Sequence, residues 1–422
     1  MTTDTPLNTI SVIGLGYIGL PTAAVLASRR VKVIGVDINQ HAVDTINQGK
    51  IHIVEPELDM VVQSTVTQGY LRATTKPEPA DAFLIAVPTP FKGDHEPDLS
   101  YVRAATEAIS SVLKKGDTVI LESTSPVGTT EQVVQWLSEL RPDLALPLPG
   151  STDSDVYVAY CPERVLPGQV VRELVENDRI IGGINAQSTE KARAVYRLFV
   201  EGELLASNAR TAEMSKLTEN AFRDINIAFA NELSLICDRL DINVWELIKL
   251  ANHHPRVNIL QPGAGVGGHC IAVDPWFIVD KTPEQARMVR MAREVNDGKP
   301  KWVADRVQAA VEQVVTSGKK LEDVTVALLG LAFKPDIDDL RESPALHITE
   351  AVLGSLRCKF KIVEPYIEEM PRDLREYELS SLDDALATAD VVAVLVSHTP
   401  FREAKLQRRD GQIFVDAVGI VQ

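Results

Sequence analysis

Thr9-Ile-Ser-Val-Ile13-Gly14-Leu-Gly16-Tyr17-Ile18-Gly19 is the stretch on which the reading of the chain turns. An apolar strand runs into glycines at the first, third and sixth positions of a turn, and a helical pattern follows. That order allows a tight turn, the close approach of a pyrophosphate and close helix packing. The next apolar run, Val31 to Ile38, carries Asp37 near its end, placed for the two ribose hydroxyls of an adenosine. A carboxylate there also repels a 2′-phosphate, so NAD is expected rather than NADP, with Gly14, Gly16, Tyr17, Ile18, Gly19 and Asp37 as its contacts. The alternative is a tight strand-to-helix turn of purely structural use.

Further strands are expected at Asp81 to Val87, Thr118 to Ser123 and Val156 to Tyr160, separated by helical patterns. Such alternation implies a doubly wound parallel sheet. Proline, glycine, serine and aspartate cluster between Arg141 and Asp155 and indicate an exposed loop. From Thr211 to His254 no proline or glycine interrupts a mostly helical spacing of Leu217, Phe222, Ile225, Phe229, Leu233 and Ile236, which predicts one or two long helices. After Thr316-Ser-Gly-Lys-Lys320, strand patterns restart at Val324 to Leu329, Phe360 to Val363, Val391 to Val396 and Gln412 to Val415. The expected organisation is therefore a Rossmann-like domain over 1–205, a central helical domain over 206–315 and a smaller C-terminal α/β domain over 316–422.

Composition limits the function classes. The 422 residues are 45% hydrophobic, enough for large cores and more than one domain. Forty-three basic against fifty-nine acidic residues give a net charge of −16, which opposes general attraction to nucleic acid or anionic membrane. Apolar runs such as Ala82 to Val87 are strand-sized, and Met1 to Asn8 is polar, so no membrane span or export signal is expected and the cytoplasm is the expected compartment. Cys161, Cys237, Cys270 and Cys358 are scattered without zinc-type spacing, which argues against disulfides and against a metal centre.

Several segments carry candidate chemistry. Val87-Pro-Thr89-Pro90 and Ser123-Thr124-Ser-Pro-Val-Gly-Thr-Thr130 each follow a strand, at the carboxyl edge where open α/β sheets bind ligands. Thr89 and Thr130 are candidates for cofactor contact and Thr124 for holding a water, although such hydroxyls also serve simply as turn and cap residues. Lys216, Asn220 and Arg223 are spaced i, i+4 and i+7, either one face lining a cleft or a solvated face. Gly263-Ala-Gly265-Val-Gly267-Gly268-His-Cys270-Ile-Ala-Val-Asp274-Pro places four glycines before a single cysteine, with a carboxylate four residues on. A lone cysteine is commonly an inert core residue. The glycine-rich setting instead suggests close backbone approach to a ligand and a nucleophilic Cys270, activated if Lys216 lowers its pKa.

Together with Tyr160-Cys-Pro-Glu163-Arg164 and Gly330-Leu-Ala-Phe333-Lys334-Pro, these motifs resemble the UDP-glucose/GDP-mannose dehydrogenase family, in family order and over nearly the whole chain. Within it, His253-His254-Pro-Arg256-Val-Asn-Ile-Leu-Gln-Pro262 and Cys270 to Phe277 are most similar to members that oxidise UDP-N-acetyl-D-mannosamine. Ala264 stands where a proline is expected in close relatives, which loosens the loop but removes no reactive group.

The resemblance implies a four-electron oxidation of the sugar C6 alcohol with two NAD+ reduced, supplying an aminouronic acid for surface polysaccharide. It assigns Cys270 the thiohemiacetal and thioester, and Lys216 and Asn220 the oxyanions. Glu163, Asp274 and Thr124 become the candidates for activating the hydrolytic water. Arg164, Val165, Lys216, Asn220, Arg223, His254, Arg256, Gly267, Phe333 and Lys334 become UDP-sugar contacts, and Arg341 a cofactor contact. It further implies a homodimer in which Arg256 reaches the neighbouring active site. The same chemistry on UDP-N-acetylglucosamine or UDP-glucose is the alternative within the family, and two other classes remain open: a single-step hydroxyacid dehydrogenase and a non-catalytic NAD-binding sensor.

Overall fold

The computed structural model describes residues 7–53, 55–93, 95–165, 168–268 and 270–421. His269 of the glycine-rich motif and residues 1–6 of the polar opening lie outside them. Two compact units divide between Glu219 and Asn220.

The N-terminal unit holds β1 (Thr9–Ile13), α1 (Gly19–Ser28), β2 (Lys32–Val36), α2 (Gln40–Asn47), α3 (Leu58–Thr67), β3 (Leu71–Thr74), β4 (Ala82–Ile85) and a short hairpin, β5 (Phe91–Lys92) with β6 (Glu96–Pro97). It continues with α4 (Ser100–Ser110), β7 (Thr118–Leu121), α5 (Thr129–Leu140), β8 (Tyr157–Tyr160), α6 (Val170–Glu176), β9 (Arg179–Gly183), α7 (Ala186–Tyr196), β10 (Leu204–Asn208) and the start of α8 (Ala209–Leu240). Eight strands form one sheet in the order β10-β9-β8-β7-β4-β1-β2-β3. From β3 to β8 every pair is parallel, in the Rossmann order.

The strands read from the sequence, β1, β2, β4, β7 and β8, are parallel as expected, and β9, which that reading did not mark, runs antiparallel to β8, with β10 parallel to β9.

Alternate side chains of the buried strands feed two cores. Ile10, Val12, Leu84 and Ile120 pack with α1, α3 and α6. Ile13, Phe83, Ile85, Val119 and Leu121 pack with α4 and α5 on the other face. Each such side chain contributes roughly 1.5–3 kcal/mol when fully buried.

The C-terminal unit comprises the rest of α8, α9 (Val244–Ala251), α10 (Asp274–Lys281), α11 (Arg287–Thr316), β11 (Thr325–Leu329), α12 (Pro344–Ser355), β12 (Lys359–Val363), α13 (Leu382–Thr388), β13 (Val391–Val394), α14 (Thr399–Glu403) and β14 (Ile413–Asp416). Its four strands are parallel in the order β12-β11-β13-β14. Between α8 and α9, Asp241 adopts φ +56° and the Asn243 side chain accepts from the N–H groups of Trp245 and Glu246. That cap ends one helix and starts the next within the predicted helical stretch. Among the described residues no helix is long and apolar enough to cross a membrane.

Candidate active site

In the N-terminal unit the glycine turn is built as a cradle. Gly14 has φ +91°, and a Cβ there would stand 2.6 Å from the Ala86 carbonyl oxygen. A Cβ on Gly19 would meet the Gly14 carbonyl oxygen at 1.7 Å, so α1 starts against the turn itself. Around Gly16 a Cβ would meet nothing within 4 Å. No side chain caps α1 at Ile18, and Tyr17 is exposed. Asp37 follows β2, and its carboxylate accepts from the N–H groups of Leu15 and Asn39, each at 2.9 Å. An open turn at an uncapped helix N-terminus, with a carboxylate fixed beside it, fits a dinucleotide.

At the carboxyl ends of β4 and β7, Thr89 and Thr124 are joined: the Thr89 hydroxyl donates to the Thr124 carbonyl at 2.5 Å. Thr130 is buried, and its hydroxyl donates to Glu213 of α8 at 2.6 Å. The same carboxylate accepts from the N–H groups of Gly128 and Thr130, so α8 caps α5. Burial pushes the Glu213 carboxyl above its usual range against these hydrogen bonds.

After β8, Glu163 accepts from the Val165 N–H within its own loop. Arg164 pairs with Glu219 at 2.9 Å and donates to the Asp178 carbonyl. The loop is anchored by Glu55, which accepts from Gly168 N at 2.9 Å and Val170 N at 2.8 Å. Beneath it, Tyr196 donates to the fully buried Glu122 at 2.6 Å. Burial raises the Glu122 carboxyl and pushes the Cys161 thiol up to about 12, which makes Cys161 an inert core residue. Lys216 is buried on α8.

In the C-terminal unit, Asn220 donates from Nδ2 to Asp274 Oδ2, and Asp274 is itself buried. The Cys270 carbonyl accepts from Val273 N at 3.1 Å and Asp274 N at 2.8 Å, so cysteine and carboxylate share one turn at the head of α10. Cys270 is exposed; Cys237 is buried and Cys358 half-buried.

The glycines before Cys270 stand close against a neighbouring segment. A Cβ on Gly265 would stand 2.9 Å from Pro344, one on Gly267 would stand 2.3 Å from the Glu342 carbonyl oxygen, and one on Gly268 would stand 2.9 Å from the Phe333 ring. They are small because the Phe333–Pro344 segment packs on them. The loop and the Phe333-Lys334 motif are thereby brought together.

Phe333 is held from behind. Glu364, fully buried at its side chain, accepts from Leu331 N, Ala332 N and His398 Nε2 at 2.7, 3.0 and 3.0 Å. Lys334, Arg223, His254 and Arg256 are exposed, so Arg223 sits at the margin of the face it was expected to share with buried Lys216. Arg341 folds onto Asp339 at 2.6 Å. Glu55, Glu213, Glu364 and His398 carried no motif in the sequence.

Family models match the chain in three parts: the NAD binding domain of the UDP-glucose/GDP-mannose dehydrogenase family over residues 8–200, its central domain over 210–298 and its UDP binding domain over 327–422. The chain belongs to this family. It is similar to the UDP-N-acetyl-D-mannosamine dehydrogenase of Escherichia coli, 61% identical over 98% of this chain and 99% of that one. It is also similar to the NDP-N-acetyl-D-galactosaminuronic acid dehydrogenase of Ralstonia nicotianae, 60% identical over 99% and 97%. Among solved structures, the UDP-D-ManNAc dehydrogenase from Pyrococcus horikoshii has a TM-score of 0.85 and 37% identity, covering 98% of this chain and 96% of that one. As a member, the chain is an NAD-dependent nucleotide-sugar dehydrogenase with a UDP-binding domain, and its α/β architecture is the family's.

Proposed function

We propose that the chain oxidises UDP-N-acetyl-D-mannosamine at C6 to the uronic acid, with Cys270 as covalent catalyst. The observation that carries the chemistry is an exposed Cys270 sharing one turn with Asp274, whose carboxylate is fixed by Asn220. Likeness over nearly the full length to UDP-N-acetyl-D-mannosamine dehydrogenases supports the sugar.

NAD+, held at the glycine turn and Asp37, would supply the hydride acceptor for each of two oxidations. In the first, water held by Lys216 and Asp274 takes the alcohol proton as C6 becomes an aldehyde. The Cys270 sulfur then bonds to the aldehyde carbon, and its proton passes to the carbonyl oxygen to give a thiohemiacetal. Loss of the second hydride and of the hydroxyl proton leaves a thioester. Water activated by Glu163, Asp274 or Thr124 attacks it, the C–S bond breaks and the thiol is restored. Lys216 and Asn220 stabilise the oxyanions formed at C6.

The cofactor is read at Gly14, Gly16, Tyr17, Ile18, Gly19, Asp37, Thr89, Thr130 and Arg341. The UDP-sugar is read at Arg164, Val165, Arg223, His254, Arg256, Gly267, Phe333 and Lys334, since arginine and lysine favour a diphosphate. We assign these roles to three parts, 1–205, 206–315 and 316–422, and place the enzyme in the cytoplasm. Phe222, Phe229 and Ile236, exposed and seven residues apart on α8, support a homodimer, with Arg256 directed to the neighbouring site.

A second reading, a sugar of the N-acetylgalactosamine type, is supported by the Ralstonia relative of equal similarity. Turnover of UDP-N-acetylmannosamine, UDP-N-acetylgalactosamine, UDP-N-acetylglucosamine, UDP-glucose and GDP-mannose, with NADH counted per sugar, tests both. Preference for the first at two NADH per sugar is expected. A clear preference for any other overturns the substrate, and one NADH per sugar overturns the four-electron chemistry.

A further inference from the structure

Helix α8 carries a buried polar stripe that neither cofactor nor sugar accounts for. Asp224, Asn231 and Ser234 follow Asn220 by four, eleven and fourteen residues, so they share its face. Opposite them on α11 stand Arg293, Asn296 and Lys299, and all six are buried. Their hydrogen bonds form a chain. Arg293 donates to Asp224 Oδ1 at 2.6 Å, and Asn296 Nδ2 donates to the same oxygen at 2.8 Å. Asn231 Nδ2 donates to Asn296 Oδ1 at 2.8 Å. The chain ends outside the helices, where Asn231 Oδ1 accepts from the Gly263 N–H at 2.9 Å.

Gly263 is the first residue of the loop that leads to Cys270. The loop is tied at its far end by the turn into α10 and in its middle by Phe333 and Pro344. Its near end is tied by Asn231 through the Gly263 N–H, beside Ala264, which packs in the C-terminal core. An amide is the side chain that can donate to Asn296 and accept from Gly263 at once; an aspartate loses the donor and a leucine loses both. Burying so many polar groups is costly unless they are paired, and the network pairs most of them, with Asp224 Oδ2 and Arg293 Nε the exceptions.

We propose that Asn231 is a positioning residue for Cys270, fixing the near end of the catalytic loop from the middle of α8. This rests on the reading of Cys270 as the covalent catalyst. The thiol is needed only once an aldehyde exists, and Gly267 is held separately against Glu342, Pro344 and Phe333, so a misplaced near end slows the second oxidation more than the first.

The test uses Asn231→Ala in the full chain, with UDP-N-acetylmannosamine or whichever panel sugar nucleotide turns over fastest. Hydroxylamine is present to trap aldehyde, and iodoacetamide reports access to the Cys270 thiol. The first oxidation is expected to stay within about threefold of the unaltered enzyme. The second is expected to fall tenfold or more, with oxime accumulating, NADH per sugar dropping from two towards one and the rate of Cys270 alkylation changed. Asn231→Ser, a smaller disruption, carries the same readouts if Asn231→Ala does not fold. Equal loss in both oxidations, or no loss in either, overturns the proposal. Failure of the underlying reading looks different: Cys270→Ala would then still deliver two NADH per sugar, whatever Asn231 does.

Discussion

Asp37 does two things that one substitution can separate. Its carboxylate bonds the N–H groups of Leu15 and Asn39, and its charge stands where a 2′-phosphate would fall. Asp37→Asn keeps an acceptor and loses the charge, so kcat/KM for NADP relative to NAD is expected to rise at least tenfold, with the melting temperature little changed. An unchanged ratio would remove Asp37 from cofactor choice. At Cys270 the expectation is sharper: Cys270→Ala binds NAD as before, measured by fluorescence quenching, and forms no uronic acid. Lys216→Ala is expected to lose ~10²-fold or more in turnover, typical for removal of an oxyanion donor. A variant of nearly normal rate would make the burial of Lys216 a purely structural matter. The glycine turn, Asp37 and the cysteine were legible in the sequence because each needs a particular residue type at a particular spacing. Glu213 was not legible, because nothing near it in the sequence marks it as the partner of the Thr130 hydroxyl, eighty-three residues away.

Among elements, α11 is the one the sequence concealed. It runs for thirty residues through Gly298 and Pro300, and the proline removes the hydrogen bond to the Asn296 carbonyl, so by local rules the helix should break there. Tertiary packing overrides the rule, with Val303, Val307 and Val311 buried against β11 and β13. Strands β3, β9 and β10 also went unread: β3 and β10 lie at sheet edges, where burial is partial and the apolar signal weak, and β9 is a short run that ends in two glycines. The same α11 holds Lys299, buried against the Trp302 ring at 4.2 Å and donating to Ser234. Burial lowers its ammonium to about 8, against a partial opposing pull from Asp238. The unfolded chain then holds one proton more than the folded chain between pH of about 8 and about 10.5, so this group makes stability rise with pH across that window. Below about 8 the buried charge costs its full amount, on the order of 3 kcal/mol. Lys299→Met is therefore expected to raise the melting temperature more at pH 7 than at pH 10. A shift of the same size at both pH values would show that the lysine carries no such cost.

For the molecule as a whole, the exposed row Phe222, Phe229 and Ile236 sets an expectation about assembly. Sedimentation equilibrium is expected to give twice the chain mass, and Phe229→Glu to return a monomer; a native monomer would leave that row without the partner assigned to it. The fit between residues 263–268 and 333–344 bears on how such an enzyme can be recombined with its relatives. The two segments sit about seventy positions apart in sequence yet interlock at distances that leave no room for a methyl group. A chimera joined between them inherits half a lock from each parent. Crossovers placed within 270–330 are thus expected to yield clashing hybrids wherever the parents shape either half differently, while those that transplant both halves together keep the fit. Engineering of sugar preference by fragment exchange in this scaffold is confined to blocks that carry the whole interlock.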